Sequence, residues 1–281
     1  MGTEKYLLNA GPSERGWHGF ETAARCPRLY AWQKVEGIQF AYTDPLVRGS
    51  LFHMGLAHHY AQKKEEAEGR DPESYYSPAE AIRILAEEEA GKSDANIAAL
   101  WTVAAPEIIE VVNDYIRHYK HCRWKIVDVE KEMRADIPLG DSSFLFTQRV
   151  DLIVEETDGR IWFVDHKSAY RIAAKTLHQH ILSGQFLGYQ TFGRAKYGDR
   201  FAGVIINRVK LRAPFQYDRA PLEPAPHALK RFVPMLKTTE ETIQKYKGLS
   251  PEDWPAVYSD QICWGKYGRC SAFDLCQWGK S

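Results

Sequence analysis

Two aspartates and a lysine mark one end of a short β-hairpin in the middle of the chain. Asp158-Gly159 separates two apolar runs rich in β-branched and aromatic residues, which predicts a tight turn between antiparallel strands. Asp151 opens the first strand and Asp165 closes the second, so the turn brings their carboxylates side by side. Because side chains alternate along a strand, Lys167 points to the same face as Asp165.

Two chemistries fit these charges. Buried carboxylates and an ammonium group are costly unless a ligand binds there, and hard divalent cations such as Mg²⁺ bind such carboxylates together with phosphate oxygens. The alternative is a solvated hairpin end that carries a salt bridge, because Asp-x-Lys is a common tripeptide. The hairpin by itself does not distinguish a metal site from a solvated salt bridge.

Two further pairs of residues strengthen the first interpretation. Gly49 precedes His53, and Gln185 precedes Tyr189, each by about one turn of a predicted helix. Residues four apart lie on one helix face, so each pair can present both members to the same site. A histidine or tyrosine that simply packs against its neighbours would give the same spacing.

Together, the first acid, the Asp-x-Lys tripeptide and the two flanking pairs resemble the PD-(D/E)XK nuclease superfamily. More narrowly, they resemble its RecB-like branch, which includes AddB-like and CRISPR-adaptation exonucleases. The resemblance covers about Ala24 to Arg212. It implies an α/β fold of mixed α+β type: a restriction-endonuclease-like core, with a central mixed sheet flanked by helices and an N-terminal helical insertion.

The resemblance also implies a metal site. Asp151, Asp165, His53 and the backbone carbonyl of His166 would hold Mg²⁺ or Mn²⁺, and an imidazole ligand suits Mn²⁺ better than Mg²⁺. Lys167 would position or deprotonate the attacking water and stabilise charge at the phosphate.

Other positions receive less specific roles from the same resemblance. Gln185 would orient the ammonium group of Lys167 or the scissile phosphate, and Tyr189 would contact DNA. Arg149 would bind DNA beside the first acid. Glu130 matches an acid that many relatives carry, but no role is implied for it.

The cysteines fall into two groups. Cys26 lies near the start of the chain, and Cys263, Cys270 and Cys276 lie near its end. One upstream and three downstream cysteines around such a core resemble an iron–sulfur staple, although the first downstream spacing is longer than usual. The four thiolates would hold a [4Fe-4S] cluster or, alternatively, Zn²⁺, and the remaining interpretation is separate thiols. Cys122 is predicted to be an ordinary thiol.

The hydrophobic spacing predicts the elements that must position these residues. Four segments are expected: an N-terminal arm over 1–18, a helical part over 19–123 that carries Cys26 and His53, the nuclease core over 124–248, and a Cys-bearing tail over 249–281. The predicted helices cover residues 20–32, 47–68, 78–90, 94–120, 174–182, 184–197 and 225–247. The predicted strands lie within 124–138 and at 143–155, 160–167 and 201–209, with an edge strand at 214–219.

Charge is distributed unevenly along a chain whose formal net charge is zero. Residues 166–219 carry ten Lys or Arg against two acids, whereas residues 65–89 carry nine acids against two Arg. The basic segment predicts contacts with phosphates, and Arg171, Lys175 and Arg194 are its candidate DNA-binding residues.

These features favour a metal-dependent deoxyribonuclease in the cytoplasm. Five cysteines among 281 residues do not suit a secreted disulfide scaffold, and we expect neither a signal peptide nor an apolar run as long as a membrane span. The leading hypothesis is an exonuclease on single strands or duplex ends in recombination, repair or phage genome processing. No Walker motif is present, so a helicase or recombination partner would supply any unwinding. The alternatives are a structure-specific or restriction-type endonuclease, a catalytically silent DNA-binding subunit, or a sugar or nucleotide enzyme.

Overall fold

The structure is a computed structural model that describes residues 5–38, 42–265 and 268–279. By its contacts the chain divides into two compact units, each assembled from three separate segments. The first unit takes residues up to Pro12, Tyr42–Met133 and Arg149–Ala225; the second takes Ser13–Ala41, Arg134–Gln148 and Pro226–Ser281. The four-segment division made from the sequence stays a prediction.

A five-stranded sheet lies mostly in the first unit, whereas residues 134–148, at one end of its first two strands, belong to the second. Its order follows the chain: β1 (Lys125–Leu139), β2 (Ser142–Glu155), β3 (Ile161–Ala169), β4 (Phe201–Lys210) and β5 (Tyr217–Pro221). β3 pairs antiparallel with β2 and parallel with β4, and β5 runs antiparallel to β4. The sheet is therefore mixed, and the predicted α/β class with a mixed sheet and flanking helices is confirmed.

The Asp-Gly hairpin predicted between β2 and β3 is present. Leu152 lies opposite Val164, and Glu155 lies opposite Ile161. Gly159 has φ +82° in the turn, a conformation that glycine adopts without steric cost.

Helices cover both faces of this sheet in the first unit. α3 (Asp44–Ala67), α4 (Pro78–Gly91) and α5 (Ala95–His118) pack with Val164 and Ile205. The opposite face buries Phe163 and Ile206 against α7 (Gly184–Tyr197), which follows the short α6 (Ala174–His178). Side-chain alternation thus places Asp165 and Lys167 on the α7 face and His166 on the α3 and α5 face.

One helix departs from the expectation about membrane spans. α5 is long and apolar enough to cross a membrane by length and composition, although core helices of soluble proteins pass the same test. Its apolar side chains, among them Trp101, Ile108 and Tyr115, are buried in the helical core of the first unit.

The second unit combines one long helix with short elements. They are α1 (Trp17–Arg25), α2 (Pro27–Tyr30) with a π-helical turn (Ala31–Val35), α8 (Pro226–Tyr246), α9 (Asp260–Cys263), β6 (Trp264–Gly265), β7 (Gly268–Arg269) and α10 (Phe273–Trp278). The single helix predicted over 20–32 is wrong in one respect: it breaks at Cys26, which is extended, because the residue before a proline disfavours the helical conformation.

Candidate active site

Three side chains from three elements converge beside the middle of β3. The ligand atoms of His53 on α3, Glu130 on β1 and Asp151 on β2 all lie within 4.8 Å of one another. His53 Nδ1 lies 3.3 Å from Asp151 Oδ2. An imidazole and two carboxylates form a donor set that suits Mn²⁺ or Mg²⁺.

Backbone contacts hold this group in place. The N–H of His166 donates to Asp151 Oδ2 at 2.7 Å, which joins β2 to β3 at the site. α3 passes close to β3, since a Cβ on Gly49 would lie 3.6 Å from Ser168 Oγ. Glu130 has φ +48°, a left-handed conformation that is uncommon for residues other than glycine and that concentrates at functional sites.

The electrostatics of the group favour a bound cation. Burial raises the pKa of Asp151 to about 6; His53 opposes this shift, and the neighbouring Asp165 adds to it. Burial, and then Asp151, raise the pKa of Glu130 well above its usual range. The protein alone leaves these carboxylates poorly compensated, so a divalent cation would stabilise their ionised forms.

Asp165 takes part in a second, adjoining group. Lys167 Nζ lies 2.7 Å from Asp165 Oδ2 and donates to Gln185 Oε1 at 3.2 Å. Gln185 Nε2 in turn donates to Asp165 Oδ1 at 2.8 Å. The resemblance implies that Asp165 and Asp151 are both metal ligands. The structure places Glu130, rather than Asp165, in the three-residue group, and the metal role of Asp165 stays a prediction.

Lys167 is held as an ammonium ion. Burial by itself would lower its pKa, but the carboxylates of Asp165 and Asp151 outweigh it and raise the pKa. A lysine that keeps its proton is suited to orienting water and stabilising negative charge at a phosphate, and less suited to removing a proton.

Tyr189 is buried next to the site. Its hydroxyl donates to the backbone carbonyl of Arg149 at 2.5 Å and lies 3.2 Å from Gln185 Nε2, which donates to it. The residue is only 1% exposed, with Phe163 and Phe186 beside its ring. Here Tyr189 ties α7 to β2 and supports Gln185. The contact between Tyr189 and DNA stays a prediction.

Arg149 is also engaged within the protein. Its guanidinium donates to the carbonyls of Asn9 and Gly11 at 2.9 and 2.7 Å and to Asn9 Oδ1 at 2.9 Å, and it pairs with Glu132 at 3.2 Å. These contacts fasten the N-terminal segment to β2. The predicted role of Arg149 in DNA binding competes with this structural one.

The other candidate DNA-binding residues lie around the basic segment. Arg171 and Arg194 are exposed, so both are accessible to a phosphate backbone. Lys175 belongs to α6, but its side chain lies outside the described residues. DNA binding by these three residues stays a prediction.

Sequence reasoning missed a buried polar chain on the opposite face of β3. The imidazole of His166 stacks on Tyr60, with ring centroids 5.7 Å apart, and its Nδ1 accepts from Asn207 Nδ2 at 2.7 Å. Asn207 Nδ2 also donates to the hydroxyl of Tyr115 at 3.0 Å. Burial lowers the pKa of His166 well below its usual range, so the ring is neutral. This anchoring fixes the backbone that binds Asp151; coordination by the His166 carbonyl stays a prediction.

Four cysteines line one cavity in the second unit. Cys26, Cys263, Cys270 and Cys276 surround a space of about 140 Å³. Within the described ranges, no three of these thiols approach within 4.8 Å of one another. A tetrahedral Zn²⁺ with Zn–S bonds of about 2.3 Å would need sulfurs closer than that, whereas a polynuclear cluster separates its ligands further. Cys122 lies in the first unit, where its sulfur accepts from Arg219 Nη1 at 3.0 Å.

His53 is expected to bind metal. We expect His53→Ala to weaken the binding of Mn²⁺ by roughly tenfold or more, because an imidazole donor is lost next to Asp151. Isothermal titration calorimetry with MnCl₂ measures this directly. The matched control is His121→Ala, since His121 is exposed. Equal affinities of the His53 variant and the native protein would reduce His53 to a packing residue.

One protein-family model matches nearly the whole chain, including the candidate site. A model of the PD-(D/E)XK nuclease superfamily matches residues 18–277, which confirms the restriction-endonuclease-like fold of the sheet and helices. None of the curated proteins matches the chain.

Two solved structures are similar to parts of the chain. The first is a candidate exonuclease from Eubacterium rectale, with 13% identity and a TM-score of 0.48, over 95% of this chain and 88% of that one. The second is the protein SSO0001, with 12% identity and a TM-score of 0.34, over 71% of this chain and 77% of that one.

Proposed function

We propose, for a chain that belongs to the PD-(D/E)XK nuclease superfamily, that it is a metal-dependent deoxyribonuclease. The observation that carries this proposal is one arrangement: His53, Glu130 and Asp151 converge beside an ammonium group that Asp165 holds in place. A divalent cation bound there would polarise a phosphate and lower the pKa of its bound water. A DNA phosphodiester is the substrate that such a site hydrolyses in this superfamily.

Different residues of the site would bind the cation, stabilise charge on the phosphate and orient the ammonium group. His53, Glu130 and Asp151 would hold the cation. Lys167 keeps its proton and would stabilise the charge that develops on the phosphate oxygens. Gln185 binds both Lys167 and Asp165, so it would fix the direction of the ammonium group towards the phosphate.

Within the superfamily we place the chain in the RecB-like branch and propose an exonuclease on single strands or duplex ends. The Gly49–His53 pair and the Gln185–Tyr189 pair are typical of that branch, and each sends a side chain to the site. Recombination, repair or phage genome processing in the cytoplasm, with unwinding by a partner helicase, is the setting we propose. A structure-specific endonuclease or a silent DNA-binding subunit is the alternative.

Metal removal tests this function. The purified protein is incubated with end-labelled single-stranded, duplex and circular DNA, and with RNA, in Mg²⁺, Mn²⁺ or EDTA. We expect mononucleotides or short products from linear DNA with either metal, and no cleavage in EDTA, because the carboxylates then lack a cation to present the phosphate. Cleavage of circular single strands would select the endonuclease alternative. Cleavage that survives EDTA, or no cleavage with any metal, would contradict the proposal.

We propose further that the four thiols around the second unit's cavity bind a [4Fe-4S] cluster, with Zn²⁺ as the alternative. Cys26 immediately precedes α2, whereas Cys263, Cys270 and Cys276 lie more than 230 residues later in the chain. A metal bound by all four would therefore link two distant segments of this unit. Ligation that forms only in the folded state contributes folding free energy.

The cysteine proposal has a spectroscopic test. Purified without oxygen, the native protein should be brown, with a broad visible absorbance, and Cys276→Ser should lose that colour because one thiolate ligand is missing. Cys122→Ser is the matched control and should keep it, since Cys122 lies in the other unit. A colourless protein with stoichiometric zinc would select the alternative. A colourless, metal-free protein whose Cys276→Ser variant melts at the native temperature would contradict both.

A further inference from the structure

An exposed tyrosine and an exposed arginine lie just beyond the ends of two neighbouring strands that border the site. Tyr170 follows β3, three residues after Lys167, and Arg212 follows β4. β3 and β4 are parallel, with Ala169 opposite Lys210, so the two residues leave the sheet side by side. The Arg212 guanidinium lies 4.8 Å from the centre of the Tyr170 ring.

A hydrogen bond to α3 fixes the orientation of the Tyr170 ring. Its hydroxyl donates to Asp44 Oδ2 at 2.5 Å, at the start of the helix that carries His53. Asp44 also accepts from Arg48 Nε at 2.8 Å, so its charge is balanced within the protein. Tyr170 is nevertheless 39% exposed. The ring is therefore held in one orientation while much of it stays open to solvent.

Arginine–tyrosine pairs also occur on surfaces that bind nothing, where they contribute modestly to stability. The pair formed by Tyr170 and Arg212 differs from such surface pairs because it lies close to the candidate active site. At about 3.3 Å per residue, Tyr170 lies about 10 Å from Lys167 along the strand, which is within reach of the nucleotide next to a phosphate at the site. Aromatic rings and guanidinium planes are the groups on which unpaired bases stack.

We propose that Tyr170 and Arg212 form a platform on which one unpaired base of the cleaved strand stacks. This inference rests on the proposed nuclease function and adds its substrate class: strands with unpaired bases near the scissile phosphate. Every base has a π-face, so the platform tolerates any sequence. A base inside a duplex is already stacked on its neighbours and cannot use it. Arg212 and the adjacent exposed Arg171 add positive charge that suits the phosphates on either side.

Binding measured without cleavage tests the platform. A fluorescent single-stranded DNA oligonucleotide is titrated in EDTA and followed by anisotropy. Tyr170→Ala should bind roughly 5- to 100-fold more weakly, the loss expected for one stacked base. Tyr170→Phe keeps the ring and should bind more tightly than the alanine variant. The matched control is Tyr6→Ala, which removes a tyrosine that is 64% exposed elsewhere in the same unit.

Abasic substitutions show whether a base is the partner. In a series of oligonucleotides with one abasic site each, the native protein should lose affinity at one position, and Tyr170→Ala should lose nothing further there, because residue and base form one interaction. Arg212→Lys, which keeps the charge but not the plane, serves as a second variant should the alanine variant melt early, and it should also bind more weakly. Native affinity in the variants, or an abasic penalty of equal size in native and variant proteins, overturns the platform.

Cleavage of the same oligonucleotides with Mn²⁺ separates the two proposals. If the native protein cleaves them and the variants bind as it does, only the platform is wrong. If the native protein cleaves no nucleic acid, the nuclease function is wrong, and the anisotropy data still decide whether Tyr170 binds a base.

Discussion

Asp165→Ala and Lys167→Ala should each lose metal-dependent cleavage by roughly a hundred- to a thousandfold in kcat. Each variant removes one member of the 2.7 Å ion pair that sets a charge beside the phosphate. The loss of one positioned charge of this kind costs about 3–4 kcal/mol of transition-state stabilisation. Single-turnover assays on end-labelled DNA measure the effect on the chemical step.

Matched controls come from the same sheet. Asp158→Ala removes an exposed aspartate at its turn, and Lys125→Ala removes an exposed lysine on β1. Both should cleave at the native rate, and circular dichroism should show native secondary structure for all four variants. Near-native cleavage by both site variants would place the chemistry elsewhere in the molecule.

Glu130→Gln should have two effects of opposite sign. It removes a carboxylate donor, so Mn²⁺ should bind about 10- to 100-fold more weakly by calorimetry, with cleavage falling accordingly. It also removes a charge whose burial and repulsion with Asp151 are unfavourable without metal, so the metal-free variant should melt at a higher temperature than the native protein.

This pair of results separates ligation from packing. A structural glutamate would give a lower melting temperature and unchanged metal affinity. Glu110→Gln, at an exposed position on α5, is the matched control and should change neither quantity. A Glu130→Gln variant that binds Mn²⁺ as tightly as the native protein would remove Glu130 from the metal centre.

Much of the site could be predicted because its signals are local. The Asp158-Gly159 turn sets the pairing of β2 and β3, and strand alternation then puts Asp165 and Lys167 on one face. The four-residue interval from Gln185 to Tyr189 places both on one face of α7, where Gln185 Nε2 donates to the Tyr189 hydroxyl. Turn chemistry and helical periodicity need no knowledge of distant residues.

The parts that escaped prediction depend on distant residues. Glu130 reaches the proposed metal centre with a left-handed backbone conformation. No glycine or turn residue beside it in the sequence predicts that conformation. The contact between His166 and Asn207 requires the parallel register of β3 and β4, which are separated by two helices. The burial of Tyr189 follows from how α7 packs on the sheet, and a sequence pattern shows only that one face is apolar.

The composition of the second unit constrains the order in which the chain can fold. Leu29 and Trp32 are buried with Ala272, which is synthesised some 240 residues after them. Closing a loop of some 240 residues costs roughly 5 kcal/mol of chain entropy, a cost that short-range contacts cannot offset early. Until Ala272 has been synthesised, Leu29 and Trp32 expose an apolar surface to other chains and to chaperones. Truncation of the last twenty or so residues should therefore harm solubility before it harms the metal centre of the first unit.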